Sequence, residues 1–192
     1  FQQIIFYFYN TMGSPVKILP RYTYKDYCAW EGKWELMDGI PYAISPAPNH
    51  GHQNIAGNIF AEFRDSLRNI ACKHCKVYQP IDYIVDENTI LQPDLLIVCK
   101  PIIGKVLDFA PDLVVEILSP STALKDRNTK FDIYESQGIL YYLIVDHELK
   151  TVEIYKLLDK KYSLITTALD EVYTFDLGEH CKPSFALNAI WE

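Results

Sequence analysis

The 192 residues are 49% hydrophobic and 22% charged, a globular balance that excludes disorder as a description of the whole. That length can bury a sizeable core and points to one domain, and no apolar run approaches the ~20 residues a membrane-spanning helix needs. A formal net charge of −7 argues against tight, sequence-independent binding to a phosphate backbone, which relies on Lys and Arg.

The opening FQQIIFYFYN is apolar but has no basic region before it and no small-residue cleavage site, so it reads poorly as a signal peptide. We expect residues 1–19 to be an N-terminal extension, with the natural protein starting at Met12, and residues 20–192 to form the domain. TYKDYCAWEG (23–32) predicts a short helix capped by Thr23 and stopped by Gly32. KWELMDGIPYAIS (33–45) predicts two strands about Asp38-Gly39, a strong hairpin dipeptide, and the two prolines of SPAPN (45–49) interrupt the pattern. From His50 to about Ile70 the apolar residues Ile55, Ile59, Phe63 and Leu67 recur every fourth position, the signature of an amphipathic helix.

VYQPIDYIVDENTILQPDLLIV (77–98) predicts two strands joined at Asp86-Glu87-Asn88, the second ending in the continuous apolar run of a doubly covered strand. PDLVVEILSPS (111–121) predicts a further buried strand, and STALKDRNTKFDIYESQG (121–138) a helix stopped by Gly138. ILYYLIVD (139–146) and TVEIYKLL (151–158) predict a final hairpin around His147–Lys150, with an apolar edge that could pair with a second copy. Helices alternating with groups of strands imply a mixed sheet with helices packed on it, α/β or α+β.

Two carboxylates stand out once these strands are placed. Asp94 opens the apolar strand LLIV, and Glu116 sits within VVEIL between aliphatic neighbours. A carboxylate in a buried strand costs several kcal/mol unless it is paired, hydrogen-bonded or bound to a cation. Neither strand has a Lys or Arg beside it, whereas a hard divalent ion such as Mg²⁺ takes one or two carboxylates together with waters and phosphate oxygens. A site of this kind adds to the negative net charge until its cation arrives. The plainer alternative is that Asp94 caps the turn after Pro93 and Glu116 faces outward from an edge strand. Downstream, Lys125 reads as part of a solvated helical face, on which Asp126 and Lys130 could form an i,i+4 pair. Lys130 also shares a helical face with Arg127, Phe131 and Tyr134, and from there it can reach back over the sheet edge.

The five cysteines, Cys28, Cys72, Cys75, Cys99 and Cys181, are odd in number and lack framework spacing, which predicts reduced thiols in a cytoplasmic protein. Cys72-Lys-His-Cys75 suggests zinc, but no second such pair supplies the other ligands, so thiols without a metal are expected. Ser119 and Ser121 lack the G-x-S-x-G elbow of a hydrolase triad.

The segments KWELMDG, ISPAPNHGHQNI, LQPDLLIV, APDLVVEILSPST, KDRNTKFDIYESQGILYYLIVD and VEIYKL resemble, in that order, the Uma-type family of restriction-endonuclease-like proteins over about residues 20–160. The resemblance implies the PD-(D/E)xK fold, a central mixed sheet flanked by helices. It implies metal-dependent hydrolysis of a nucleic-acid phosphodiester, DNA being the expected partner and a homodimer the expected assembly. By position, Pro93-Asp94 matches the PD element and Glu116 the acidic one. Glu35 and His52 match further recurrent polar positions, and the duller alternative for His52 is a structural hydrogen bond on the apolar helix face. Asp94, Glu116 and the main-chain carbonyl of Ile117 would hold Mg²⁺ or Mn²⁺. The pattern's lysine is missing, since position 118 is Leu; the family implies Lys130, within Asp126-x-x-x-Lys130, in its place. Alternatives are a noncatalytic nucleic-acid- or protein-binding module that keeps the fold, and a phosphoesterase acting on small nucleotides.

Overall fold

The computed structural model describes residues 20–44, 49–168, 171–178 and 180–192. The expectations for residues 1–19, including the start at Met12, lie outside the described residues. Among those residues no helix is long and apolar enough to cross a membrane.

The centre is a six-stranded mixed sheet. Its strands are β3 (Lys76–Tyr78), β6 (Leu95–Val98), β7 (Leu113–Ile117), β8 (Tyr141–Asp146), β9 (Thr151–Leu158) and β10 (Lys161–Ala168), in the order β10-β9-β8-β7-β6-β3. Only β7 and β8 run parallel, and helices α3 (Ala123–Arg127) and α4 (Thr129–Ser136) make the crossover between them. A smaller sheet, β2-β1-β5-β4, is built from β1 (Trp34–Met37), β2 (Ile40–Ala43), β4 (Tyr83–Asp86) and β5 (Thr89–Leu91).

Strand alternation divides the core in two. Leu95, Ile97, Leu113, Val115, Ile117, Leu143 and Val145 face helix α2 (His50–Asn69), whose buried stripe is Ile55, Ile59, Phe63 and Leu67. Phe175, Phe185, Leu187 and Ile190 of the C-terminal segment complete that core. They come from around the short pair β11 (Val172–Thr174) and β12 (Ser184–Ala186) and from a 3-10 turn, Leu187–Trp191. The intervening positions, Leu96, Val98, Val114, Tyr142 and Ile144, pack on the other face with Tyr134 of α4 and with Met37, Tyr83 and Leu91 of the smaller sheet.

The mixed sheet with flanking helices is the fold class expected from the sequence. The first helix is shorter than expected: α1 spans only Tyr24–Tyr27, closed at its start by a reciprocal Thr23–Asp26 capping box. The Asp38-Gly39 hairpin forms as expected, both residues having positive φ (50° and 78°). A Cβ at Gly39 would lie 2.9 Å from Arg21 Cβ, so glycine is required there for space as well as for φ.

Three expectations need correction. Residues 77–98 are not one hairpin: β4 and β5 turn at Asp86–Asn88 in the smaller sheet, while β3 and β6 belong to the large one. Pro93 has no N–H for a ladder, and the chain leaves one sheet and enters the other around it. The helix at 121–138 is broken at Asn128 (φ −126°, ψ −80°) into α3 and α4. Finally, the 139–158 hairpin has no free edge, because β7 flanks β8 and β10 flanks β9.

The cysteines also differ from expectation. Cys72 is paired with Cys181 and Cys75 with Cys99, leaving Cys28 as a free, exposed thiol. Partners separated by 109 residues in sequence cannot be recognised from local spacing.

Candidate active site

Asp94 stands at the mouth of β6. Leu95 pairs with Val115 in antiparallel register, so one further step sets Asp94 opposite Glu116. Alternation puts both on the side of Leu96 and Val114, the face that carries α4. Asp94 Oδ2 accepts the Ile117 N–H at 2.8 Å and lies 3.1 Å from His52 Nε2. His52 is placed by the first turn of α2, whose cap residue Asn49 accepts the His52 backbone N–H at 2.9 Å.

Glu116, only 3% exposed, is held through one oxygen. Its Oε1 accepts from Lys130 Nζ at 2.9 Å and from the Tyr134 hydroxyl at 2.6 Å. Lys130 and Tyr134 are one helical turn apart on α4, so both point at the same strand position. Lys130 Nζ also lies 2.8 Å from Glu35 Oε1 and 3.5 Å from Asp126 Oδ1. Glu35 is further anchored by the Gln92 N–H at 3.0 Å, and Lys125 Nζ approaches its second oxygen at 3.6 Å. One buried ammonium therefore serves three buried carboxylates. The group opens on a cavity of about 390 Å³ whose walls include Asp94, Glu116, Ile117, Lys130, His52 and His147.

The electrostatics follow from that imbalance. Burial pushes the Glu116 carboxyl well above its usual range, and although Lys130 pulls it back, Asp126, Asp94 and Glu35 push it up again. Burial raises Asp126 as well, against the pull of Lys130 and the nearby Thr122 hydroxyl, which approaches without the geometry of a formed bond: neither carboxylate oxygen has a hydrogen-bond partner among the described residues. Burial would lower Lys130, but Glu116, Glu35 and Asp126 outweigh it and hold the ammonium well above its ordinary value. Burial and the neighbouring Glu116 charge keep the Tyr134 phenol protonated, as its role of donor requires. For His52 burial acts downward, yet its hydrogen bond and charge interaction with Asp94 leave it raised.

The donor set suits a hard divalent cation. Both hydrogen bonds to Asp94 fall on Oδ2 and both to Glu116 on Oε1, so each has a second carboxylate oxygen to offer. The excess of buried carboxylates over ammonium supplies the negative charge such an ion would neutralise. Asp126, whose carboxylate oxygens have no hydrogen-bond partner among the described residues, is the member with most to gain.

Asp94, Glu116, Lys130, Glu35 and His52, singled out in the sequence, thus converge on one cavity, and Ile117 lines it while giving its N–H to Asp94. Two sequence readings change. Asp126 is fully buried rather than half of a solvated pair, and Lys125 lines the cavity rather than a solvated face. His52, for which the sequence left two readings open, lies against Asp94 on the cavity wall. Tyr134 and Gln92 were missed as partners of the acids. Tyr134, four residues after Lys130, carried a usable signal, whereas the backbone N–H of Gln92 carries none in sequence. Ser119 is hydrogen-bonded with Ser121 and Thr122, while His147 Nδ1 lies 3.2 Å from the Leu118 carbonyl; among the described residues no Ser–His hydrogen bond forms.

The sequence model of the Uma2 family, described as "Putative restriction endonuclease", matches residues 23–181. The chain belongs to the Uma2 family. A protein of Synechocystis sp. (strain ATCC 27184 / PCC 6803 / Kazusa), "Uncharacterized protein slr1290", is 31% identical over 149 residues, covering 74% of this chain and 77% of that one. Among solved structures the chain is similar to a "putative nuclease belonging to DUF820" from Anabaena variabilis ATCC 29413. The TM-score is 0.69 at 13% identity, over 88% of this chain and 97% of the other, a likeness of fold.

Proposed function

We propose that this Uma2-family chain is a cytoplasmic, Mg²⁺- or Mn²⁺-dependent endonuclease that hydrolyses DNA phosphodiester bonds. The observation that carries this reading is the placement of Asp94 and Glu116 opposite one another on β6 and β7, with Lys130 on Glu116, all facing one cavity. Asp94 and Glu116, with the Ile117 carbonyl, would hold the cation. When bound, the ion supplies a water of lowered pKa and neutralises charge on the phosphoryl oxygens.

The chain's own residues do the rest. Lys130, kept cationic by its carboxylates, orients the attacking water and stabilises the charge that builds on the phosphorus oxygens. Tyr134 and Lys130 fix one oxygen of Glu116 so that the other keeps a constant direction. His52 does the same for Asp94, and Glu35 holds Lys130 in place. Cutting both strands of a duplex calls for two such sites, so we pair this reading with a homodimer.

The test is cleavage of DNA by the purified protein with Mg²⁺ or Mn²⁺, abolished by EDTA. Calorimetry should show Mn²⁺ binding in the wild type and none in Asp94→Ala. No cleavage of DNA or RNA together with no Mn²⁺ binding would replace this reading with a noncatalytic binding module, and turnover confined to small nucleotides would narrow it to a phosphoesterase. A monomeric mass in light scattering at micromolar concentration would remove the homodimer alone.

A further inference from the structure

At the opposite end of β6 from Asp94, two stretches of chain bring soft ligands together. Cys72, His74 and Cys75 lie in the turn between α2 and β3, and Cys181 comes from the C-terminal segment. One donor atom from each of these four residues lies within 4.8 Å of every other. Cys75 and Cys181 are buried, Cys72 is partly buried, and His74 sits at the surface over them. We infer that, with its thiols reduced, the chain binds one Zn²⁺ through Cys72, His74, Cys75 and Cys181.

Geometry and chemistry support this assignment. Tetrahedral zinc, with Zn–S of about 2.3 Å and Zn–N of about 2.0 Å, places its sulfurs ~3.8 Å apart and each sulfur ~3.5 Å from the imidazole nitrogen. His74 Nε2 lies 3.4 Å from Cys181 Sγ. The two disulfides account for the four sulfurs and leave the imidazole only a long hydrogen bond to Cys181 Sγ, whereas a Cys₃His site uses it as a ligand. Thiolate and imidazole donors suit zinc and not Mg²⁺, so this site is chemically distinct from the carboxylate cavity. Asp94 and Cys99, which flank β6, are five extended steps apart, roughly 17 Å, and the cluster lies beyond the Cys99 end.

Cys99 sits across the β3–β6 pair from Cys75, since Lys76 pairs with Val98. It lies outside the group of four and stays a free thiol when zinc is bound. In the oxidised chain Cys75 is bonded to Cys99 and Cys72 to Cys181. Reducing each disulfide takes two electrons and two protons, supplied by a dithiol that becomes a disulfide itself. Zinc then displaces the thiol protons of Cys72, Cys75 and Cys181. The bound ion would join the end of α2, the start of β3 and the C-terminal segment.

The full chain, expressed with added zinc and purified in a phosphine reductant, is assayed for metal by elemental analysis and native mass spectrometry. One zinc per chain is expected, and cobalt substitution should give the visible bands of a tetrahedral thiolate site. Asp94→Ala and Cys99→Ser should keep the zinc, and Cys181→Ser should lose it. His74→Ala, at an exposed position that leaves the fold intact by circular dichroism, should weaken zinc roughly 100-fold or more. Zinc-free protein that is folded and fully reduced would overturn the proposal, as would protein that keeps both disulfides through reduction. Loss of zinc in Cys99→Ser with retention in His74→Ala would overturn the ligand set. Loss in Asp94→Ala would place the metal in the other cavity.

Discussion

The two ends of β6 make a useful contrast. Asp94 precedes the strand and Cys99 follows it, and each belongs to a cluster of reactive side chains drawn from several elements. The acid cluster is internally unbalanced: three carboxylates surround one buried ammonium, and among the described residues the Asp126 carboxylate oxygens have no hydrogen-bond partner. The cysteine cluster is covalently satisfied, with every sulfur bonded. One end stores electrostatic tension that a cation can relieve, while the other fastens the chain to itself. Changes at the first should move activity and pH response, and changes at the second should move stability.

The contrast can be broken most forcefully at Lys130. Lys130→Met leaves Glu116 and Asp126 without an ammonium and Glu35 with only the more distant Lys125, and we expect a loss of about 3–5 kcal/mol at neutral pH in urea unfolding. Adding Glu116→Gln should recover part of that loss. Two additive, small effects would mean that the ammonium is solvated and the tension absent. Glu116→Gln alone should lower metal-dependent DNA cleavage at least ~100-fold while the metal-free fold is kept or stabilised. An unchanged rate would trace the activity to a contaminant or another site.

Reductive opening of both disulfides in a metal chelator should cost roughly 2–4 kcal/mol for each bond opened. Measured afterwards in chelator-free buffer, Mn²⁺ binding should be unchanged, and a parallel loss would merge the two ends into one functional unit. The pH response sharpens the contrast further. Glu116 and Asp126 have raised carboxyl values in the folded chain, so the fold binds protons that the unfolded chain has released. Their contribution is fully present below the usual carboxylate range and is lost as pH rises through the raised values. Metal-free protein should therefore gain stability on acidification from neutral, and Asp126→Asn should flatten that gain. His52 gives the smallest effect. Its raised value means its pairing with Asp94 is fully stabilising below the ordinary histidine range and fades as pH rises through the folded value. His52→Gln should cost about 1 kcal/mol in mild acid and less above neutral, by thermal unfolding.

What could be read from the sequence follows the same division. Glu116 is visible because an acid between aliphatic residues is anomalous within five positions, and α2 is visible because its stripe repeats every fourth residue. The cysteine cluster depends on Cys181 returning to Cys72, and nothing near either residue announces the other. The strands at 77–98 were misassigned for a related reason. Period-two alternation reports that a segment is extended but not which sheet it joins, and Pro93 marks the switch without naming its direction. Asp126 was misread because an i,i+4 acid–lysine pair has the same spacing in solvent as in a buried cluster. The break at Asn128, which tilts Lys130 toward Glu35, has no spacing signal at all.

The cover on α2 has a bearing on how the molecule is made. Ser66 is hydrogen-bonded to Ser184, 118 positions later, and Asn58 to Ile190, 132 positions later. Phe185 meets Phe63 edge-on with ring centroids 4.9 Å apart. A ribosome adding about 5–20 residues per second exposes the α2 stripe on the order of ten seconds before its covering rings are synthesised. During that interval Phe63 and Ile59 have no permanent neighbours from the C-terminal segment. A nascent chain of this protein thus presents an oily helix to chaperones early in translation, and ribosome stalling ahead of the codons for Phe175 to Ile190 would prolong that exposure without altering a single residue of the site.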